Sequence, residues 1–167
     1  EPQIRDDFSF KQIPDPLNQA YLDHINSVTA ISIHIRRGDY VTNPTVNAIH
    51  GVCGLDYYER AIEFLRFHVP SQNLHYFVFS DDPEWVKNNI NFGSETTFVS
   101  HNDASKNYED MRLMSACRHH IITNSSFSWW GAWLNPRADK IVVAPQKWFH
   151  SDSLDSNTIV PKSWVRL

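Results

Sequence analysis

The densest run of chemistry-bearing side chains is Ile31–Tyr40, ISIHIRRGDY, in which His34, Arg36, Arg37 and Asp39 fall within six residues. Two guanidinium groups released into a turn at Gly38 make a clamp for an anion such as a phosphate, because each offers N–H donors in a planar fork. Alternate facing along the chain sends one arginine toward a pocket and leaves the other to pair elsewhere. A plain surface ion pair within Arg37-Gly38-Asp39 is the competing reading. A second run is Asn124–Ser128, NSSFS. A strand that turns there into a helix offers hydroxyls from Ser125, Ser126 and Ser128, free backbone N–H groups and the positive end of a helix dipole, which together suit a diphosphate. Ordinary capping needs only one of those serines. A third run is Asp81-Asp82-Pro83. One carboxylate can cap the following helix, and the other is then free near Arg36 to orient the guanidinium or to act as a base. Asp110 sits at a helix start, where it caps the helix or reads the N–H edge of a guanine.

The elements that must position these groups follow from periodicity and breakers. Ile31, Ile33 and Ile35 alternate with Ser32, His34 and Arg36, so Ala30–Arg36 reads as a strand with one apolar face. Leu17, Ala20, Tyr21, His24 and Ile25 define an amphipathic helix over Pro16–Ser27, and Leu55, Tyr58, Ile62 and Leu65 another over Leu55–His68. Strands are expected at Leu74–Ser80, Thr96–Val99, His120–Thr123 and Lys140–Ala144. Helices are expected at about Pro83–Asn89, at Tyr108–Cys117, and from Ser125 or Ser126 through Leu134. In the last, Phe127, Trp130, Gly131 and Leu134 share a face, with Gly131 permitting close approach of a neighbour. Residues 1–16 read as a polar linker or entry segment, Val41–Gly54 as a long loop of the functional or mobile kind, Gln146–Pro161 as polar loop and Ser163–Leu167 as a tail anchored by Trp164. Alternating strands and helices predict an α/β domain over 17–167, a parallel sheet covered by helices. Ligands bind beyond the carboxyl ends of such strands, and Arg36, Asp81 and Ser125–Ser126 all lie at those ends.

Bulk composition narrows the function classes. The chain has 167 residues and a formal net charge of −4, with no basic run suited to a nucleic-acid backbone. Its two cysteines, Cys53 and Cys117, make neither a disulfide framework nor a CxxC pair. His119 and His120 are adjacent in a strand and so face opposite ways, which argues against a zinc site. The phosphate-binding patterns GxGxxG and GxxxxGK[ST] do not occur, which disfavours a dinucleotide oxidoreductase and a P-loop NTPase. Arginine supplies the positive charge, so neither a metal nor another cofactor is expected. No apolar run approaches membrane-spanning length. Asn124-Ser125-Ser126 matches a glycosylation sequon, which matters only in a secreted protein.

Taken together, HIRRGDYV (His34–Val41), YYERAI (Tyr57–Ile62), FVFSDDPEWVK (Phe77–Lys87), the Met114–Cys117 helix end and NSSFSWWGAWLN (Asn124–Asn135) resemble the α-1,2-fucosyltransferase family, glycosyltransferase family 11. The resemblance implies a Rossmann-like fold with flanking helices, the nucleotide-sugar-binding half of a two-domain GT-B enzyme, with the acceptor half outside this chain. It implies transfer of L-fucose from GDP-β-L-fucose to the 2-hydroxyl of a galactose-containing glycan, with inversion. An isolated GDP-sugar-binding domain without turnover is the alternative. Carried over by residue, Arg36 holds the β-phosphate, and Ser126 and the turn Asn124, Ser125, Phe127 and Ser128 hold the diphosphate. His34 and Asp110 lie near the guanosine. Asp39, Asp81 and Asp82 order the arginine clamp, to which Arg37 belongs. The partners implied are GDP-fucose and a galactoside acceptor, with peripheral membrane association of the intact enzyme. The Cys-poor sequence fits a bacterial cytoplasmic location at the inner face of the membrane, and a eukaryotic parent would place it in the Golgi.

Overall fold

A computed structural model describes residues 2–93, 95–151, 154–155 and 158–167. In chain order the elements are α1 (Pro2–Asp7), α2 (Pro16–Ser27), β1 (Thr29–Ile35), α3 (Gly38–Thr42), α4 (Pro44–His50), α5 (Leu55–His68), β2 (Leu74–Ser80), α6 (Pro83–Asn89) and β3 (Thr96–Val99). A short 3-10 turn at Ala104–Lys106 precedes α7 (Asn107–Ala116), and β4 (His119–Ile121), α8 (Ser126–Leu134), β5 (Val142–Ala144) and β6 (Val165–Arg166) complete the chain.

The six strands form one sheet of order β3-β2-β1-β4-β5-β6, and every neighbouring pair is parallel. The first three strands step outward in one direction, and β4 returns to the other side of β1. That reversal is the topological switch point of a doubly wound sheet, where the strand ends diverge and leave a crevice. The order is that of a Rossmann fold.

β1 is the central strand, and this corrects the expectation of one apolar and one polar face. Its Ile31, Ile33 and Ile35 are buried on one side, in a cluster with Tyr58 and Leu65 of α5 and Val78 of β2. Ser32 and His34, on the other side, are buried as well, at 3% and 6% exposure. Helices cover both faces of an all-parallel sheet, so the polar positions of a central strand must find partners inside. Ser32 Oγ lies 2.8 Å from His120 Nδ1, and His34 Nδ1 lies 3.3 Å from Thr123 Oγ1. The second face packs Phe77 and Phe79 of β2 against Ile25 of α2 and Leu113, Met114 and Cys117 at the end of α7. Full burial of side chains of this size contributes about 1.5–3 kcal/mol each.

Four stretches depart from the sequence expectations. The presumed linker at 1–16 contains α1, followed by Phe8, whose ring stacks on Trp130 at 4.7 Å. Arg5 donates to the Trp133 carbonyl at 3.0 Å and lies over the Trp133 ring. Glu1 lies outside the described residues. Most of the long loop 41–54 is helical. Asn43 caps α4 by accepting from the N–H groups of Thr45 and Val46, and Pro44 occupies the first helical turn, where its missing N–H costs nothing. The C-terminal tail adds β6 to the sheet edge beside β5. Finally, β4 begins at His119 and β5 at Val142, one residue before and two residues after the expected starts at 120 and 140. The expected loop 146–161 holds no helix or strand among its described residues, and 152–153 and 156–157 lie outside them.

Gly131 performs the packing role its position implies. A Cβ there would meet Met114 Cβ at 3.0 Å and Met114 Sδ at 3.1 Å, so α7 and α8 touch through the bare glycine. Replacing Gly131 by alanine trades a small gain in helix propensity for overpacking against backbone-proximal atoms. The expected result is a net loss of about 1–2 kcal/mol, read as a lower urea midpoint at unchanged m value.

Candidate functional site

The charged turn after β1 is built from three ion pairs. Arg36 lies one residue beyond the strand, and its guanidinium bridges two carboxylates: Nη2 to Asp39 Oδ1 at 2.6 Å and Nη1 to Asp81 Oδ2 at 3.1 Å. Arg37 turns the other way. Its Nε pairs with Asp82 Oδ2 at 3.1 Å and its guanidinium lies 3.4 Å from the centre of the Trp85 ring. The two aspartates therefore divide the tasks the sequence left open between them. Asp82 caps α6, accepting from the Trp85 N–H, while Asp81 faces Arg36 and also accepts the Arg37 backbone N–H at 2.8 Å. Gly38 is required by this arrangement, because a Cβ there would collide with the Asp81 carboxylate.

A cavity of about 230 Å³ opens at the carboxyl ends of β1 and β2, bounded by the segment that follows β3 and by the start of α8. It brings together His34, Arg36, Asp81, Asp110 and Phe127 with Phe79, Ser80 and Asn102. His34 is held neutral: burial, with the Arg36 charge adding to it, lowers its pKa to about 3. Its ring is 5.7 Å from that of Phe127. Asp110 is pushed up to about 6, chiefly by burial, with the Asn102 hydrogen bond opposing and Glu109 reinforcing the shift. The carboxylate accepts from Asn102 Nδ2 at 2.7 Å, and Asn102 is itself locked in a reciprocal amide pair with Asn18 of α2 at 2.9 and 3.0 Å. The cavity thus sets the Arg36 cation and the carboxylates of Asp81, Asp103 and Asp110 in a largely polar lining, with Phe79 and Phe127 as its aromatic walls, which suits a ligand with an anionic part and an N–H edge.

Arg37, Asp82, Asn124, Ser125, Ser126 and Ser128 do not line this cavity. Asn124 Nδ2 donates to the His50 carbonyl at 2.7 Å and its side-chain oxygen accepts from the Cys53 thiol at 3.6 Å, so its amide anchors the segment between α4 and α5. Ser128 Oγ donates back to the Ser125 carbonyl. Ser125 occupies the cap position of α8, but its hydroxyl makes no capping bond, and Ser126 is exposed in the first turn. The expectation that a serine hydroxyl caps α8 is not met. The expected convergence at one sheet edge is met, since Arg36, Asp81 and the 124–126 turn follow β1, β2 and β4.

Two residues escaped the sequence reading. Asn102 lies in the segment after β3, and the rule that pointed to the ends of β1, β2 and β4 applies equally to that end. Tyr40, buried beneath the turn, donates to the Asn124 carbonyl at 3.1 Å and lies 5.5 Å from the Arg36 guanidinium. Nothing in the local pattern separates it from an ordinary core tyrosine. Among the described residues, no group of three or more His, Cys, Asp or Glu side chains is arranged to hold a metal ion. Among the same described residues, no helix is long and apolar enough to cross a membrane.

Sheet order and charged crevice define a Rossmann-like α/β domain with a polar cavity beside its switch point. The chain belongs to glycosyl transferase family 11, whose model matches residues 3–167. It is 45% identical over 138 residues to the O-antigen biosynthesis glycosyltransferase WbnK of Escherichia coli, covering 81% of this chain and 44% of that protein. It is 44% identical over 146 residues to an alpha-1,2-colitosyltransferase of Escherichia coli, covering 87% of this chain and 50% of that protein. The chain therefore spans about half the length of these curated relatives. Among solved structures, the fucosyltransferase NodZ from Bradyrhizobium matches with a TM-score of 0.45 at 14% identity, over 73% of this chain and 43% of that one.

Proposed function

We propose that this chain is the donor-binding half of a GT-B glycosyltransferase that moves L-fucose from GDP-β-L-fucose to the 2-hydroxyl of a galactose-containing glycan. The observation that carries the proposal is the meeting of Arg36 and Asp110 in one cavity at the switch-point edge of a family 11 chain. The guanine edge presents N–H donors, and Asp110, the least exposed of the three aspartates lining the cavity, accepts them in this reading. Arg36, held between Asp39 and Asp81, faces the diphosphate. Its terminal nitrogens each carry a second N–H beyond the ion pairs already made. Ser126, exposed at the start of α8, adds its backbone N–H.

In the proposed reaction the bond from the fucosyl anomeric carbon to the β-phosphate oxygen breaks, and its electron pair leaves with GDP. The acceptor oxygen attacks the opposite face, so the anomeric centre inverts, and the hydroxyl proton is released. Positive charge develops on the sugar while negative charge grows on the diphosphate, where Arg36 stabilises it. The guanidinium supplies that charge without a metal ion in the mechanism as proposed.

Calorimetry with GDP, ADP and GDP-fucose, run beside an assay for released fucose, tests the reading. Binding of GDP in preference to ADP is expected. Asp110→Asn should weaken GDP at least tenfold at pH 7.5 and leave ADP affinity unchanged. Because only the ionised carboxylate accepts two N–H bonds, GDP affinity in the unsubstituted protein should fall as pH drops through about 6. Equal affinity for GDP and ADP would sink the guanine assignment. Binding without fucose release would mark this chain as a donor-binding module that needs the remainder of the enzyme for turnover.

A second donor is favoured by one observation, the 44% identity to an alpha-1,2-colitosyltransferase. Colitose is fucose lacking the 3-hydroxyl, so the two donors share nucleotide and ring geometry. Parallel turnover measurements with GDP-fucose and GDP-colitose on the intact enzyme distinguish them.

A further inference from the structure

A second cavity, of about 250 Å³, lies on the same edge of the sheet at the carboxyl ends of β4, β5 and β6. One wall is the segment 50–54 and the other is 145–150, with Asn124 and Tyr57 between them. We propose that this cavity is a subsite for one hexopyranosyl unit. The inference rests on the donor-site reading above and extends it.

The chemistry of the lining supports a sugar ring. Phe149 offers an aromatic face for the C–H side of a pyranose. Gln146, Asp56 and His150 are exposed at the rim, where they can reach hydroxyls. His50 Nδ1 is buried and has no hydrogen-bond partner. That nitrogen is closed off from the cavity, so the polar groups within reach of a ligand are those at the rim. Polar side chains, among them Asp56, Gln146, Lys147 and His150, share the lining with Val52, Phe149 and Leu167, a mixture that small-molecule sites use to combine apolar contact with a few hydrogen bonds.

The cavity is also pre-formed. The His150 N–H donates to the Ile49 carbonyl at 2.9 Å and joins the two walls. Gly51, at a φ of 65°, packs so closely that a Cβ would sit 3.1 Å from His150 Cβ. Left-handed backbone and lack of space both demand glycine there. Asn124 ties the same segment to the end of β4 through the His50 carbonyl and Cys53.

Position completes the case. The Arg36 guanidinium lies 5.5 Å from the Tyr40 ring, and Tyr40 stacks on His50 at 4.8 Å. One aromatic ring therefore separates the proposed diphosphate clamp from the wall of this cavity. A nucleoside diphosphate sugar runs base, ribose, diphosphate, hexose. With the base near Asp110 and the diphosphate at Arg36, the transferred hexose and the hexose that receives it both lie beyond Arg36. The shared chemistry is a pyranose ring, from the donor or from the acceptor.

The test uses Gln146→Ala and Phe149→Ala. Gln146 is exposed, so its variant keeps the fold even where removal of Phe149 disturbs packing. GDP and GDP-fucose are titrated into the protein, and the KM for lactose, a simple galactoside, is measured in the intact enzyme. For each variant GDP affinity should stay within about twofold of the parent. Either GDP-fucose affinity falls at least tenfold, which assigns the cavity to the donor hexose, or the lactose KM rises at least tenfold, which assigns it to the acceptor. If GDP still binds and neither quantity moves in either variant, the subsite is overturned while the donor-site reading stands. If the parent protein binds no GDP, the donor-site reading fails and the subsite falls with it.

Discussion

Arg36→Ala in the intact enzyme is expected to lower turnover by about 10²–10³-fold, or ~3 kcal/mol of transition-state stabilisation. The geometry gives reason to expect the upper part of that range. Removing the guanidinium deletes a donor to the departing diphosphate and also leaves the Asp39 and Asp81 carboxylates, now uncompensated, facing the same anion. The cluster passes from one positive and two negative charges to two negative charges alone. Arg36→Lys should recover little, because an ammonium on a flexible stem does not hold both carboxylates and an anion in one plane. Stability should change far less than turnover. The Arg36 side chain is 36% exposed, and half-exposed ion pairs of this kind contribute about 1 kcal/mol or less. A kcat within about fivefold of the parent, in a variant with an unchanged melting temperature, would remove Arg36 from the mechanism.

Acidification is expected to destabilise the fold well before carboxylate protonation alone would do so. His34 and His120 are buried and neutral, each with a pKa lowered to about 3. Burial is the main cause in both, reinforced by Arg36 for His34 and by Lys140 for His120. Hydrogen bonding specifies why His120 resists protonation. Asn135 Nδ2 donates to His120 Nε2 at 2.8 Å and to the Cys117 carbonyl at 2.8 Å. An amide nitrogen only donates, so Nε2 must accept, and the ring proton sits on Nδ1 against Ser32 Oγ. A second proton would set two donors face to face in the core.

The sign follows from linkage. A histidine whose folded pKa lies below its unfolded value of 6.5 binds more protons when unfolded, so it loses stability as pH falls from about 6.5 toward 3. Each such group contributes at most about 1.4 kcal/mol per pH unit in that window. Asp110 works in the opposite direction. Its folded pKa of about 6 exceeds the ordinary 3.8, so the native state gains relative stability as pH falls between those values. For these three groups the balance is a net uptake of roughly one proton on unfolding between pH 6 and 4, a loss of about 2–3 kcal/mol, and the lowered pKa values of His75, His101 and His119 act in the same direction as those of His34 and His120. Urea midpoints at pH 7, 6, 5 and 4 measure it directly. His120→Gln should flatten the slope, and Asp110→Asn should steepen it between pH 6 and 4. A midpoint that does not move from pH 7 to pH 4 would contradict the neutral, buried state of both histidines.

Periodicity and breakers located the central helices and strands because those signals are local. The 3.6-residue repeat over Leu55–His68 and the turn at Asp81-Asp82-Pro83 need no knowledge of the rest of the chain. Where expectation failed, the missing information was a neighbour. α4 is a short helix with no buried residue, so it shows no apolar stripe, and only its Asn43-Pro44 start betrays it. β6 is two residues long and exists because β5 presents an open edge. The N-terminal segment lies against α8 through Phe8 on Trp130 and Arg5 on Trp133, contacts between residues more than a hundred positions apart.

The same division runs through the site. Residue type and order by themselves determined that Arg36, Asp81 and the Asn124–Ser128 turn follow strands and so reach one edge of a parallel sheet. They also placed the chain within a family. Only the tertiary structure decided how those groups are shared out. It gave Asp82 to the α6 cap and Asp81 to Arg36, turned Arg37 onto Trp85, and assigned Asn124 to anchoring His50. The physical reason is that a hydrogen bond or ion pair is decided by angstrom-scale distance and direction between side chains far apart in sequence. Two adjacent aspartates or two adjacent arginines are chemically alike until the fold gives each a different neighbour.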